Sequence, residues 1–263
     1  MKSLTSSCDK RRTALNFIFI FMLYLFLSPW VQAAESEAKE LLIQMDQILR
    51  GNAHQMTVTM NVVTPRWKRD YKIKVWMKGV DFALARVIEP SKVEGQGFLR
   101  VESRLWNYLP SAERTMLIPP SLMLDRFLGS DFSNDDFVKL TYFPRDYDSK
   151  ILETSDLNGA LSYHLELLPH PEAPVTYGKL EIWIRKEDHM PLRWDFYNDR
   201  LKLIRTLEYS EFHSFGSHLA PTVWTMKNLE KEGHQTVIRI LEAQYDVELS
   251  NLLFKKENLE KYP

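Results

Sequence analysis

The residue types that could carry chemistry are present in this 263-residue chain, but they are not gathered at catalytic spacing. The seven histidines, at 54, 164, 170, 189, 213, 218 and 234, are scattered. His164-x-Glu166 puts two donors on one strand face and could begin a metal site. Nothing near it in sequence supplies the remaining ligands of a tetrahedral centre. His213 and His218 straddle a turn and read as solvated. Asp131, Ser133 and Asp135 mimic the first three ligands of a calcium loop. However, the sixth position is Asp136 where such a loop needs glycine, and the twelfth is Tyr142 where it needs glutamate. Turn capping accounts for these acids better. There is no Gly-x-Ser-x-Gly elbow, no phosphate loop and no His-Glu-x-x-His. The expectation is therefore no metal, no cofactor and no enzymatic activity.

The lone cysteine, Cys8, lies in a leader rather than in the fold. Lys2, Lys10, Arg11 and Arg12 form a basic start, and Phe17 to Leu27 is an unbroken apolar run of 11 residues. Val31-Gln32-Ala33 then offers small residues at a cleavage site. Residues 1–33 read as a secretory signal peptide, since a membrane span needs about 20 apolar residues. The remainder, 34–263, is expected to be one domain without disulfides, which suits a Gram-negative periplasm. Its formal charge is 30 basic against 34 acidic residues, or −4, which is not a nucleic-acid-binding balance. The basic stretch Arg66, Lys68, Arg69, Lys72, Lys74 and Lys78 could meet anionic head groups or an acidic partner. A solvated outer sheet face gives the same pattern, and we read it that way.

The elements that would position any site are mostly strands. Glu35 to Arg50 has Ala38, Leu41, Leu42, Met45, Ile48 and Leu49 on one helical face, with Arg50-Gly51 as its stop. From Gln55 the period changes to two. Met56, Val58, Met60 and Val62 alternate with polar residues, and Tyr71, Ile73, Val75 and Met77 do the same. Further strands are expected at 82–88, 97–101, 105–109, 115–118, 150–155, 161–168, 179–185, 191–198, 201–211, 222–228 and 236–246. The spacing predicts roughly ten or eleven strands in one curved antiparallel sheet or open barrel. Pro119-Pro120 stops the first set of strands, and Ser121 to Leu128 reads as a short helix or loop. Ser133-x-x-Asp136 matches a capping box, and Lys255 to Tyr262 reads as a charged helical tail.

Tryptophans Trp67, Trp76, Trp106, Trp183, Trp194 and Trp224 are the informative feature. Several stand out of phase with the apolar face of their strand. Trp76 lies among Lys72, Lys74 and Lys78, and Trp183 lies between Glu181 and Arg185. Such a sheet is covered on both faces or curves around something.

The block Leu105-Trp-Asn-Tyr-Leu-Pro, Arg114, the Ile118-Pro break and Phe127-Leu-Gly-Ser-Asp-Phe-Ser-Asn-Asp-Asp resembles the motif region of outer-membrane lipoprotein-sorting proteins of the LolA-like superfamily. The resemblance implies a mainly β fold, an unclosed β-barrel with an N-terminal helix and a short helical lid over an apolar cavity. It implies a periplasmic carrier of the acyl chains of a lipid or lipoprotein, handed to a partner on the way to the outer membrane. It also implies work beside an export pump of the RND type and peripheral contact with membranes or membrane proteins. The lid and cavity residues would be Trp106, Tyr108, Leu122, Met123, Leu124, Phe127, Leu128 and Phe132. A different class also fits the residues: a periplasmic interaction or sensor module holding a protein partner by its sheet edge or basic face.

Overall fold

The computed structural model describes residues 36–139, 143–173 and 175–261; the expected signal peptide and Tyr142 lie outside the described residues. Period-two patterning produces one antiparallel sheet of thirteen strands, in the order β6-β5-β4-β3-β2-β1-β13-β12-β11-β10-β9-β8-β7. It is not closed into a barrel. The chain enters the sheet in the middle with β1 (Ala53–Val63) and runs outward by hairpins through β2 (Lys68–Lys78), β3 (Phe82–Glu89), β4 (Gly97–Val101) and β5 (Arg104–Leu109). It reaches one edge at β6 (Arg114–Leu117), passes helices α2 (Asn134–Lys139) and α3 (Phe143–Asp146), and re-enters at the opposite edge with β7 (Tyr147–Leu157). It then returns through β8 (Ala160–Pro169), β9 (Lys179–Arg185), β10 (Pro191–Tyr197), β11 (Leu203–Phe215) and β12 (His218–Asn228). β13 (Gln235–Tyr245) closes against β1, His54 opposite Tyr245 and Val63 opposite Gln235. Only the 118–146 connection has to cross from edge to edge. The topology thus explains why the one stretch that reads unlike a strand sits where it does.

Each of the thirteen strands falls on one of the stretches read as strand, although the overall spacing predicts only ten or eleven, and two local devices account for differences in the boundaries. Pro221 lies inside β12, opposite Phe212, rather than before the strand. Glu211 at φ 52 bulges out of the partner strand, and its carbonyl accepts from the Thr222 hydroxyl. Leu201, at φ 56, belongs to the turn instead of β11.

Alternation sorts each strand onto two faces. Inward go Met56, Val58, Met60 and Val62 of β1 and Tyr71 and Ile73 of β2, all buried. Helix α1 (residues 36–50) lays Ala38, Leu41, Leu42 and Met45 into this inner core and stops at Gly51, whose φ is +59. The outer face carries a second core of Trp76, Leu84 and Leu99, in register across β2, β3 and β4. The tail covers it, a 3-10 turn over Asn251–Phe254 and helix α4 (Lys256–Lys261) contributing Phe254 and Leu259. Trp76 among lysines is thereby explained: the residue is 2 % exposed beneath the tail. Gly97 makes room for it, since a Cβ there would lie 2.6 Å from Leu259 Cδ1. Arg86 donates to the carbonyl of Leu259 at 2.7 Å, binding the last turn of α4. A Leu259→Ala chain should lose about 2–3 kcal/mol in urea melts, as for other buried leucine truncations. A loss under about 0.5 kcal/mol would show that the tail is not held by this side chain.

Among the described residues, no helix is long and apolar enough to cross a membrane.

Candidate functional site: a lidded apolar cavity

The 118–146 connection is built from polar capping and buried charge. Ser133 and Asp136 cap α2 (Asn134–Lys139) reciprocally: Ser133 N donates to Asp136 Oδ2 at 2.7 Å, and Asp136 N donates to Ser133 Oγ at 3.0 Å. The capping-box reading holds in detail. Each acid also has a tether outside the lid. Asp131 accepts from the Thr236 hydroxyl at 2.9 Å and from Arg126 at 3.1 Å. Asp135 accepts from Thr176 at 2.7 Å, and Asp136 from the Tyr177 hydroxyl at 2.6 Å. Arg205 of β11 gives Nη1 to Asp136 Oδ2 at 2.8 Å and to the carbonyl of Asp131 at 2.7 Å. Tyr71 donates to the Leu128 carbonyl at 3.0 Å. At the far end of α2, fully buried Arg100 of β4 donates to the carbonyls of Val138 at 2.8 Å and Val80 at 2.6 Å. Arg100, Arg205, Thr236 and Tyr177 are site residues that the sequence does not reveal. Their partners are tens of residues away, and only the sheet order brings them together.

Beneath this clamped segment lies a cavity of about 190 Å³. Its walls are Met56, Val58 and Met60 of β1, Ile73, Val75 and Met77 of β2, and Trp194, Leu207, Tyr209, Trp224 and Ile238 from the second half of the sheet. Phe127, Phe132 and Phe137 close it from the lid, and Leu49 of α1 closes another side. Phe127 stacks on Phe137, ring centres 5.1 Å apart, and leans on Phe98 at 4.5 Å. Trp194, Tyr209 and Trp224 form an edge-on series with spacings of 5.4 and 5.7 Å. Polar residues enter the wall at two places: Asp136 from the lid and, where α1 ends, Asp46 paired with Arg50 and His54, whose Nδ1 lies 2.8 Å from the Arg50 carbonyl. Burial, the larger effect, lowers the His54 pKa from 6.5 to about 4, with nearby Arg50 and His218 adding to it and the bond to the Arg50 carbonyl opposing it.

The sequence-derived lid and cavity residues divide into four groups. Phe127 and Phe132 line the cavity. Met123 and Leu128 pack against the inner core without lining it, Leu128 at φ 52 in a 3-10 turn. Leu122 and Leu124 face outward, 44 % and 62 % exposed, because the backbone here is turns rather than a continuous helix with one buried side. Trp106 and Tyr108 stand on the outer face with Phe254 and Leu259, since alternation sends Leu105 and Asn107 inward. His218 also departs from expectation. Its ring stacks on Tyr245 at 3.6 Å instead of standing free in solvent. His164 stacks on Trp183 at 4.2 Å, and Glu166 pairs with Lys150, so each has an ordinary outer-face partner.

A family model described as "Uncharacterized protein" matches residues 79–261. The chain belongs to that family. Among solved structures, it is similar to a DUF1329 family protein from Desulfovibrio piger, with TM-score 0.80, 23 % identity, and coverage of 86 % of this chain and 99 % of the other. A putative outer membrane lipoprotein-sorting protein domain from Vibrio parahaemolyticus gives 0.77 and 20 %, over 86 % and 99 %. A LolA superfamily protein from Nitrosomonas europaea gives 0.71 and 24 %, over 84 % and 98 %. At these identities the likeness is one of fold, and it is the LolA-like fold that the motif block implies. A search of curated proteins finds no match.

Proposed function

We propose that this protein is a periplasmic carrier that holds an acyl chain of a lipid or lipoprotein in the lidded cavity and passes it to a partner. The observation that carries this reading is the cavity itself: a partly open space whose walls are almost wholly apolar, spanned by a separate clamped segment. Two structures of the same fold are named for lipoprotein sorting or the LolA superfamily, and this supports the reading. The leader at 1–33 would deliver residues 34–263 to the periplasm. No bond is made or broken in such a cycle. Each buried methylene contributes about 0.8 kcal/mol, so a handful of them supplies useful affinity without a polar catalytic group. Release then needs a partner that binds the open form better than the closed one.

A cavity-filling substitution tests this. Ile238 lines the cavity and is only partly buried. Wild type is expected to take up the fluorescent fatty acid cis-parinaric acid and yield it to oleate, while Ile238→Trp weakens uptake at least about ten-fold, the loss of two methylene contacts. Native mass spectrometry of protein taken from periplasm should show a lipid-sized mass increment. Failure of wild type to bind the probe, or equal binding by Ile238→Trp, would remove the carrier reading.

A further inference from the structure

We infer that the outward side of the lid, together with the neighbouring β1–β2 turn, is a docking surface for an anionic lipid bilayer. Four large apolar residues in nine positions are exposed: Met116 at 37 %, Leu117 at 51 %, Leu122 at 44 % and Leu124 at 62 %. A single exposed leucine means nothing, but a run of them along one segment is a surface with an occupant. The segment is also two-sided, with leucines outside and Phe127 and Phe132 inside.

The occupant's chemistry is read from what borders the leucines. Trp67, half-buried in the β1–β2 turn, lies against the lid: its ring comes within 3.6 Å of where a Cβ on Gly129 would stand. The Arg69 guanidinium covers that ring at 4.4 Å. Arg66, Lys68 and Arg69 are exposed around it, and Arg126 of the lid is partly exposed. Asp70 and Asp125 lie among these cations, Asp70 engaged by Asn61 at 2.7 Å and Arg126 paired with Asp131 at 3.1 Å, and the adjoining β12–β13 turn, where Gly233 meets Pro65, exposes Glu230, Lys231 and Glu232. The cationic part of the surface is thus the β1–β2 turn itself, three exposed basic side chains at 66, 68 and 69 against the single acid Asp70. Protruding leucines, a tryptophan with a polar tip and guanidinium groups able to grip phosphate oxygens in pairs are the combination that suits a head-group region. Docking by this side would place the membrane against the segment that closes the cavity.

The test uses the chain from residue 34 onward and sedimentation with vesicles. It should bind vesicles of phosphatidylethanolamine and phosphatidylglycerol and leave phosphatidylcholine vesicles in solution. High salt should release it, since such attraction is screened. Leu122→Ser with Leu124→Ser should weaken binding about ten-fold or more. Arg66→Glu with Lys68→Glu should do so by at least about five-fold per charge. All four side chains are exposed, so circular dichroism should report an unchanged fold. Three results would overturn the inference: no binding to the anionic vesicles, equal binding to both kinds, or binding unchanged by the leucine pair. So would a dimer on size exclusion that the leucine pair abolishes in a chain that ignores vesicles, because a second copy would then be the occupant. A chain that docks but takes up no cis-parinaric acid keeps this inference and loses the carrier reading; the reverse outcome does the opposite.

Discussion

An Arg205→Ala chain is expected to be about 3–5 kcal/mol less stable than wild type, the usual consequence of removing one member of a buried ion pair. The side chain is 12 % exposed and its partner Asp136 only 2 %. Without the guanidinium, Asp136 keeps Tyr177 and the Ser133 N–H but loses its counter-charge in a dry site. The Asp131 carbonyl loses its 2.7 Å donor at the same time. Arg205→Lys should recover little. One planar guanidinium serves two acceptors here while lying over the rings of Tyr177 and Phe196, a fork geometry that the compact point charge of an ammonium does not reproduce. Urea melts of the two variants give the answer. A loss below about 1 kcal/mol in Arg205→Ala would mean that the lid is held elsewhere.

The second large effect concerns acid. His54 has an ordinary value of 6.5 when unfolded and about 4 in the fold. The unfolded chain therefore takes up its proton at the higher pH. The stability that neutral His54 contributes is complete above about pH 6.5 and is lost as pH falls toward 4. The full difference is about 3 kcal/mol at 1.36 kcal/mol per unit. Because Nδ1 lies against the Arg50 carbonyl at the end of α1, the loss should be felt first as loosening of that helix from the cavity. His54→Gln should flatten the stability profile between pH 7 and 4.5. If the variant and wild type fall in parallel across this window, other groups are responsible.

Much of this architecture can be read from residue order. Alternation at Met56–Val62 and Tyr71–Met77, the Gly51 stop and the reciprocal cap at Ser133 and Asp136 are local effects, so they are visible one window at a time. The two-sidedness of the sheet was visible in Trp76, though what covers it was not, because Phe254 and Leu259 lie far away along the chain. The cavity is the clearest case of hidden information. Its walls come from Met60 and Trp224, from Val75 and Leu207, residues that share no sequence neighbourhood and meet only through the β1–β13 pairing. The lid is legible as a stretch, but which of its side chains face inward is not. Leu122 and Phe127 look equally apolar on paper, and only the 3-10 turns decide which one faces the core.

The β1–β13 pairing has a consequence in time. When the chain emerges N-terminus first, the first half of this sheet can close as a set of local hairpins, each strand meeting a neighbour that has just emerged. β1 is the exception: its second partner is the last strand to be synthesised. Until then an eleven-residue ladder edge stands open, with Met56, Val58, Met60 and Val62 along it and no mate. The same late stretch carries the tail that covers Trp76, Leu84 and Leu99. Both the middle seam and the outer face therefore stay open until β13 and the tail that follows it are in place, and those two elements seal them together.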